Sequence, residues 1–147
     1  MGGRRHDWLP EAAKALLLRT VEIGWNREMG GFYYTLDWQD QPAQADRFWW
    51  PCAEGTGAAA TLAAIDPDLR FELWYRRIWD FTASFLIDRE HCGWFPELGP
   101  DLRPVSRVFV GKPDLYHALQ ACLIPLLPTR GSITHGLRDG GRSLLGG

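Results

Sequence analysis

The sequence predicts a mainly α-helical fold with short β-hairpins, built as part of an α/α toroid. Three observations carry this. Apolar residues recur every three or four positions through "LRFELWYRRIWDFTASFLID". The stretches with strand character are few, short and aromatic. One segment of chain, beginning at Asn26, returns at Asp88, an offset of 62 residues.

The elements follow in order. Asp7 can cap a first helix, with Pro10 tolerated in its first turn. "EAAKALLLRTVEIG" is rich in helix formers and stops at Gly24. Gly30 and Gly31 break any helix, and "FYYTLDW" reads as a short strand. "DQP" is a turn, and a second extended piece leads to Trp50. Pro51 suits a helix start, and the Ala-rich "CAEGTGAAATLAAI" follows. Its Gly55 and Gly57 allow close helix approach or make room for a ligand. "DPD" at 66–68 ends one helix and caps the next. In that next helix Phe71, Trp74, Ile78, Phe81 and Phe85 mark one buried face. "CGWFPEL" and "GPDLRPVS" read as strand, turn, strand. "DLYHALQACLIPLLP" is a last helix, ended by Pro125 and Pro128. Residues 129–147 form a Gly-rich tail with few apolar side chains, expected to be disordered.

The repeat sets the architecture. "NREMGGFYYTL" and "DREHCGWFPEL" superpose Arg27 on Arg89, Glu28 on Glu90, Gly31 on Gly93, Phe32 on Trp94, Leu36 on Leu98 and Pro42 on Pro104. Each copy follows one amphipathic helix and precedes another. Such a unit needs stacked neighbours to bury its helices. Two-helix units with strand-like connections on one face are the pattern of an α/α toroid. Six units of this size need about 370 residues, and the chain has 147. The chain therefore holds fewer than two and a half such units, and it oligomerises, stands as an open fragment or is the truncated end of a longer protein. The open edges call for further copies of the chain or a missing N-terminal half.

Composition narrows the function. The net charge is −2, with no basic face, which argues against a nucleic-acid partner. No apolar run approaches the ~18 residues of a membrane span, and the start lacks a signal-peptide core. Cys52, Cys92 and Cys122 stand at no metal or redox spacing, so reduced, mostly buried thiols in a cytoplasmic protein are expected. Eight Trp in so short a chain point to a large aromatic core, a carbohydrate-stacking site or an interface.

Candidate residues cluster at two helix starts. In "RFWWPCAEG", Trp49 and Trp50 are either core or the lip of a pocket, and Glu54 is either a helix-start charge or a site carboxylate. His117, just inside the helix after "GKPDLY", is either a core or capping histidine or an acid–base group. The offset between Glu54 and His117 is close to the repeat, so on a toroid both face one cavity. Lys112 and Asp114 flank Pro113 and could pair with each other. His91 aligns with Met29, and Tyr33 and Phe95 align as packing residues.

"GWNREMGGFYYTLDW", "RFWWPCAEG", "RIWDFTASFLIDREHCGWFPELGPDLRPV" and "GKPDLYHALQACLIPLL" resemble the C-terminal part of the N-acylglucosamine 2-epimerase family, over about residues 7–128. The last block looks closer to the mannose-isomerase, aldose–ketose branch. The resemblance implies that residues 1–128 are the C-terminal portion of an (α/α)6 barrel, about two to two-and-a-half helix-pair repeats, with a monosaccharide in its central cleft and proton transfer through a cis-enediolate; such chemistry requires no cofactor or metal if positioned hydrogen bonds stabilise the enediolate. It implies His117, in the pair Tyr116-His117, as one of two catalytic histidines, with Trp49, Trp50, Tyr116 and Glu54 lining the cleft; Glu54 there accepts from sugar hydroxyls or orients His117. The sequence departs from the family where the second histidine and a substrate-binding arginine are expected. His6 precedes "DWLPEAAK", which matches the segment after the missing histidine block. A sugar 2-epimerase or aldose–ketose isomerase, truncated, is thus the reading, and a non-catalytic carbohydrate-binding or interaction fragment the alternative. A glycoside hydrolase would need paired carboxylates, which Glu54 alone does not supply.

Overall fold

The computed structural model describes residues 8–129 and 132–144. Helix α1 spans Trp8–Ile23, α2 Trp49–Ile65, α3 Leu69–Phe81, α4 Leu115–Leu123 and α5 Ile133–Leu144. Between α1 and α2 lie β1 (Thr35–Leu36), β2 (Pro42–Gln44) and β3 (Arg47–Phe48); between α3 and α4 lies β4 (Glu97–Leu98). The expected cap by Asp7 lies outside the described residues.

Helix α2 sits at the centre and packs on α1, α3 and α4. Its composition explains the place. Trp49, Cys52, Ala53, Thr56, Gly57, Ala59 and Leu62 are buried on several sides, as in a helix apolar all round. Gly55 lets the first hairpin approach, since a Cβ there would meet Phe32 at 3.0 Å. Phe48, Phe71, Ile78, Leu86 and Leu98 are at most 1% exposed. Each such side chain contributes roughly 1.5–3 kcal/mol by leaving water.

The repeat is present in the backbone. Trp25 bridges Phe32, and Ile87 bridges Trp94. Asn26 N–H donates to Gly31 O, and Asp88 N–H to Gly93 O. Asn26 Oδ1 accepts from Glu28 and Met29, and Asp88 Oδ1 from Glu90 and His91. Gly31 and Gly93 both take positive φ, 77° and 76°. Leu36 faces Pro42 and Leu98 faces Pro104. A cation then reaches back under each hairpin. The Arg47 guanidinium lies 5.2 Å from the Tyr33 ring and the Lys112 ammonium 4.9 Å from Phe95, so both rings pack as expected.

Four expectations change. The hairpins hold fewer strand residues than their aromatic content suggests. β3 also leaves the first hairpin to pair antiparallel with β4, Arg47 opposite Leu98 and Phe48 opposite Glu97. On α3 the buried stripe holds at Phe71, Ile78 and Phe81. A wider π turn over Thr82–Leu86 then carries Phe85 out to 38% exposure and brings Leu86 into the core. Among the cysteines only Cys52 is buried; Cys92 and Cys122 are exposed. In the tail, where little order was expected, α5 forms. Ser132 Oγ accepts from the His135 N–H at its start, and Gly136 packs on Leu127.

Two apolar edges stay open. Leu16 on α1, and Leu115, Leu119 and Leu126 on the α4 side, are each more than half exposed.

Candidate functional site

Glu54 and His117 reach one place from different helices. Glu54 lies in the second turn of α2, where β3 feeds directly into the helix. His117 lies in the first turn of α4. Asp114 fixes that start, its Oδ1 accepting from Tyr116 N–H at 2.8 Å. The two helices run the same way, since Gly57, further along α2, meets Ile124 beyond α4. The second turn of α2 therefore meets the first turn of α4, and His117 Nδ1 stands 2.7 Å from Glu54 Oε1.

Three aromatic rings bound the imidazole. Trp49 meets it edge-on at 6.1 Å between centroids, Tyr116 edge-on at 5.0 Å and Trp50 tilted at 6.3 Å. The two tryptophans have different surroundings. Trp49 is 5% exposed and packs against Phe109 at 5.1 Å. Trp50 is half-buried and, with Glu54, lines an apolar groove of about 590 Å³ between α1 and α2. Leu16, Thr20, Tyr34 and Ala58 are among the residues of its walls. Tyr116 is 65% exposed. All five residues singled out in the sequence are thus neighbours.

Lys112 and Asp114 do not pair with each other. Lys112 binds Asp88, which the ammonium and the turn amides of His91 and Glu90 hold down to about 2. Asp114 is the cap of α4. Thus Lys112 joins the second hairpin to the segment entering α4. His91 is mostly exposed, on the hairpin, and His135 lies on α5.

The polar network behind Trp49 was not foreseen. Glu97, fully buried, accepts from the backbone N–H groups of Arg107 and Val108, and Arg107 pairs with Asp46 at 2.8 Å. Arg47, 1% exposed, donates to Gly30 O and Ala45 O, and burial pulls its guanidinium below its ordinary pKa. The one available signal was a glutamate inside the apolar run "WFPEL", where the first copy has Thr35.

Among the described residues no group of three or more His, Cys, Asp or Glu is placed to hold a metal ion. No helix among them is long and apolar enough to cross a membrane.

The profile of the N-acylglucosamine 2-epimerase (GlcNAc 2-epimerase) family matches residues 1–121. A D-mannose isomerase of Pseudomonas cannabina pv. alisalensis is 38% identical over 137 residues, 92% of this chain and 33% of that protein. One of Thermobifida fusca is 41% identical over 133 residues, 89% of this chain and 33% of its own length. A D-mannose isomerase crystal structure aligns with a TM-score of 0.77 at 23% identity, covering 82% of this chain and 31% of that one. The cellobiose 2-epimerase structure from Spirochaeta thermophila DSM 6192 aligns at 0.66 and 16% identity, covering 87% and 35%. The chain thus spans about a third of the length of the relatives it matches. Its fold is theirs in part, the partial α/α toroid read from the repeat. With the profile covering most of its length, the chain belongs to the N-acylglucosamine 2-epimerase family.

Proposed function

We propose that this chain supplies one acid–base unit of a sugar 2-epimerase or aldose–ketose isomerase working on a monosaccharide such as mannose. The observation that carries the reading is the 2.7 Å contact between Glu54 Oε1 and His117 Nδ1. A carboxylate only accepts hydrogen bonds, so Nδ1 is the donor in this contact, and in the neutral imidazole Nε2 then keeps its lone pair. Nε2 takes the C2 proton of the open-chain sugar. The C–H electron pair becomes the C1=C2 bond, and the carbonyl oxygen gains the charge of a cis-enediolate. Transfer of the O2 proton to O1, with return of a proton to C1, leaves the carbonyl at C2 and gives the ketose; return of a proton to the opposite face of C2 restores the C1 carbonyl and gives the epimer. The second reaction needs another group across the sugar plane, and no second imidazole stands beside His117 among the described residues. Trp50 offers a ring face in the groove on which a pyranose can stack. Three free thiols fit a reducing compartment, the cytoplasm.

The test is hydrogen exchange at C2 of mannose in deuterated water. The reading requires exchange by the purified chain that disappears in His117→Ala. The open apolar edges at Leu16 and at Leu115, Leu119 and Leu126 favour a second reading, a sugar-binding or interaction fragment that acts only with further helical units. Folded protein that binds mannose without exchanging C2 would select that alternative.

A further inference from the structure

Glu97 is fully buried. Its Oε2 accepts from the N–H groups of Arg107 at 3.0 Å and Val108 at 2.9 Å. Its Oε1 is buried with no hydrogen-bond partner among the described residues. Withdrawing a carboxyl group from water and leaving one oxygen unpaired costs stability. A residue that breaks this rule is best explained by what it positions.

Its place in the fold supplies that explanation. β4, which carries Glu97, pairs with β3, and Phe48 stands opposite Glu97. β3 runs without a break into α2, which carries Glu54. Arg107 and Val108 belong to the loop that leads into α4, which carries His117. The next residue, Phe109, packs edge-on against Phe48 at 5.4 Å and Trp49 at 5.1 Å. Trp49 in turn lies edge-on to His117. Two further stitches hold the same loop: Val105 N–H donates to Glu97 O at 3.0 Å, and Arg107 pairs with Asp46, just before β3. One side chain therefore fastens the approach to the glutamate's helix to the approach to the histidine's helix.

We propose that Glu97 is a positioning residue for the Glu54–His117 pair, setting the register in which Nδ1 meets Oε1. It touches neither partner and acts through the loop at 107–109. The inference rests on the reading of Glu54 and His117 as an acid–base unit.

The experiment is nitrogen-15 NMR of the His117 ring in the full chain, which reports the tautomer ratio without needing turnover. Glu54→Gln is measured first. If it leaves the ratio unchanged, the acid–base unit itself is wrong and the proposal falls with it. If it moves the ratio, Glu97 is tested separately. Glu97→Gln, which keeps an acceptor for the two amides, should retain the wild-type ratio. Glu97→Met, which has none, should shift it by about fivefold or more. A purely structural Glu97 would lower the thermal midpoint and leave the ratio alone. Folded Glu97→Met with a wild-type ratio overturns the proposal, as does an equal shift in Glu97→Gln. Should Glu97→Met fail to fold, amide exchange in the wild-type chain decides. Arg107 and Val108 protected like the amides of α4 support the anchor, and free exchange at both overturns it.

Discussion

Glu54 Oε1 and His117 Nδ1 stand 2.7 Å apart although 63 residues separate them in sequence. On the proposed acid–base reading the two act as one unit, so their effects on exchange should not add. Glu54→Gln and His117→Ala should each slow deuterium incorporation at C2 of mannose by about 10²- to 10⁴-fold. The double variant should be no slower than His117→Ala. Initial rates of incorporation for the three variants check this, and additive losses would separate the two residues.

Acid should weaken the second hairpin through Asp88. The ammonium of Lys112 and the turn amides hold its folded value to about 2, below the usual carboxylate range near 3.9. The stabilisation is present above about pH 4 and is lost as pH falls toward 2. The first copy supplies the control, because Asn26 occupies the equivalent place and accepts the same two turn amides. Asp88→Asn should therefore keep the turn and lose only the charge. Denaturant midpoints from pH 6 to pH 2 should show the wild-type advantage over Asp88→Asn shrinking as acid is added. A gap that stays constant contradicts the assignment.

Burial pushes the Cys52 thiol up to about 12, and it is fully shielded. Reactivity follows thiolate and access. Iodoacetamide on the native chain near pH 8 should modify Cys92 and Cys122 and spare Cys52. Unfolding in guanidinium should expose the third site. Peptide mass spectrometry reads the outcome directly.

The two repeat-equivalent glycines should differ in cost. Gly31 and Gly93 share a positive φ, so Ala at either carries backbone strain of about 1–2 kcal/mol. At Gly31 a Cβ would also fall 2.5 Å from Phe81 Cζ and 2.8 Å from Arg47 Cγ. At Gly93 the nearest atom is Lys112 Cδ, at an ordinary contact distance of 3.8 Å. Gly31→Ala should thus lose about 3–4 kcal/mol in all and Gly93→Ala only the backbone share. Urea unfolding of the two variants ranks them, and equal losses would refute the packing argument.

Local signals in the sequence reached far. Helix periods, the Gly24 stop, the Asp66–Asp68 junction and the hairpin repeat are all set by neighbours within a few residues, and all appear in the structure. The repeat alone also directs Glu54 and His117 to one place, because near-equivalent positions of stacked units share a face. What stayed hidden depends on contacts between segments distant in sequence. The pairing of β3 with β4 crosses from one hairpin to the next. Lys112 passes its neighbour Asp114 to reach Asp88. Glu97 reads as a strand residue until the loop at 107–109 folds over it. The π turn after Phe81 leaves no mark in the apolar spacing, which continues the buried face to Phe85 while the turn carries that ring outward. The separation of Trp49 from Trp50 follows from Phe109, which nothing in "RFWWPCAEG" foretells.

The matched hairpins carry one more implication, about how such a molecule can change. Shifted by one 62-residue unit, His117 falls on Gly55 and Glu54 on Tyr116. The two hairpins match turn by turn in their backbone, while the residues that open the following helices differ. Frame and helix-entrance side chains are thus physically separable: substitutions at the entrances leave the turn hydrogen bonds that aim them untouched.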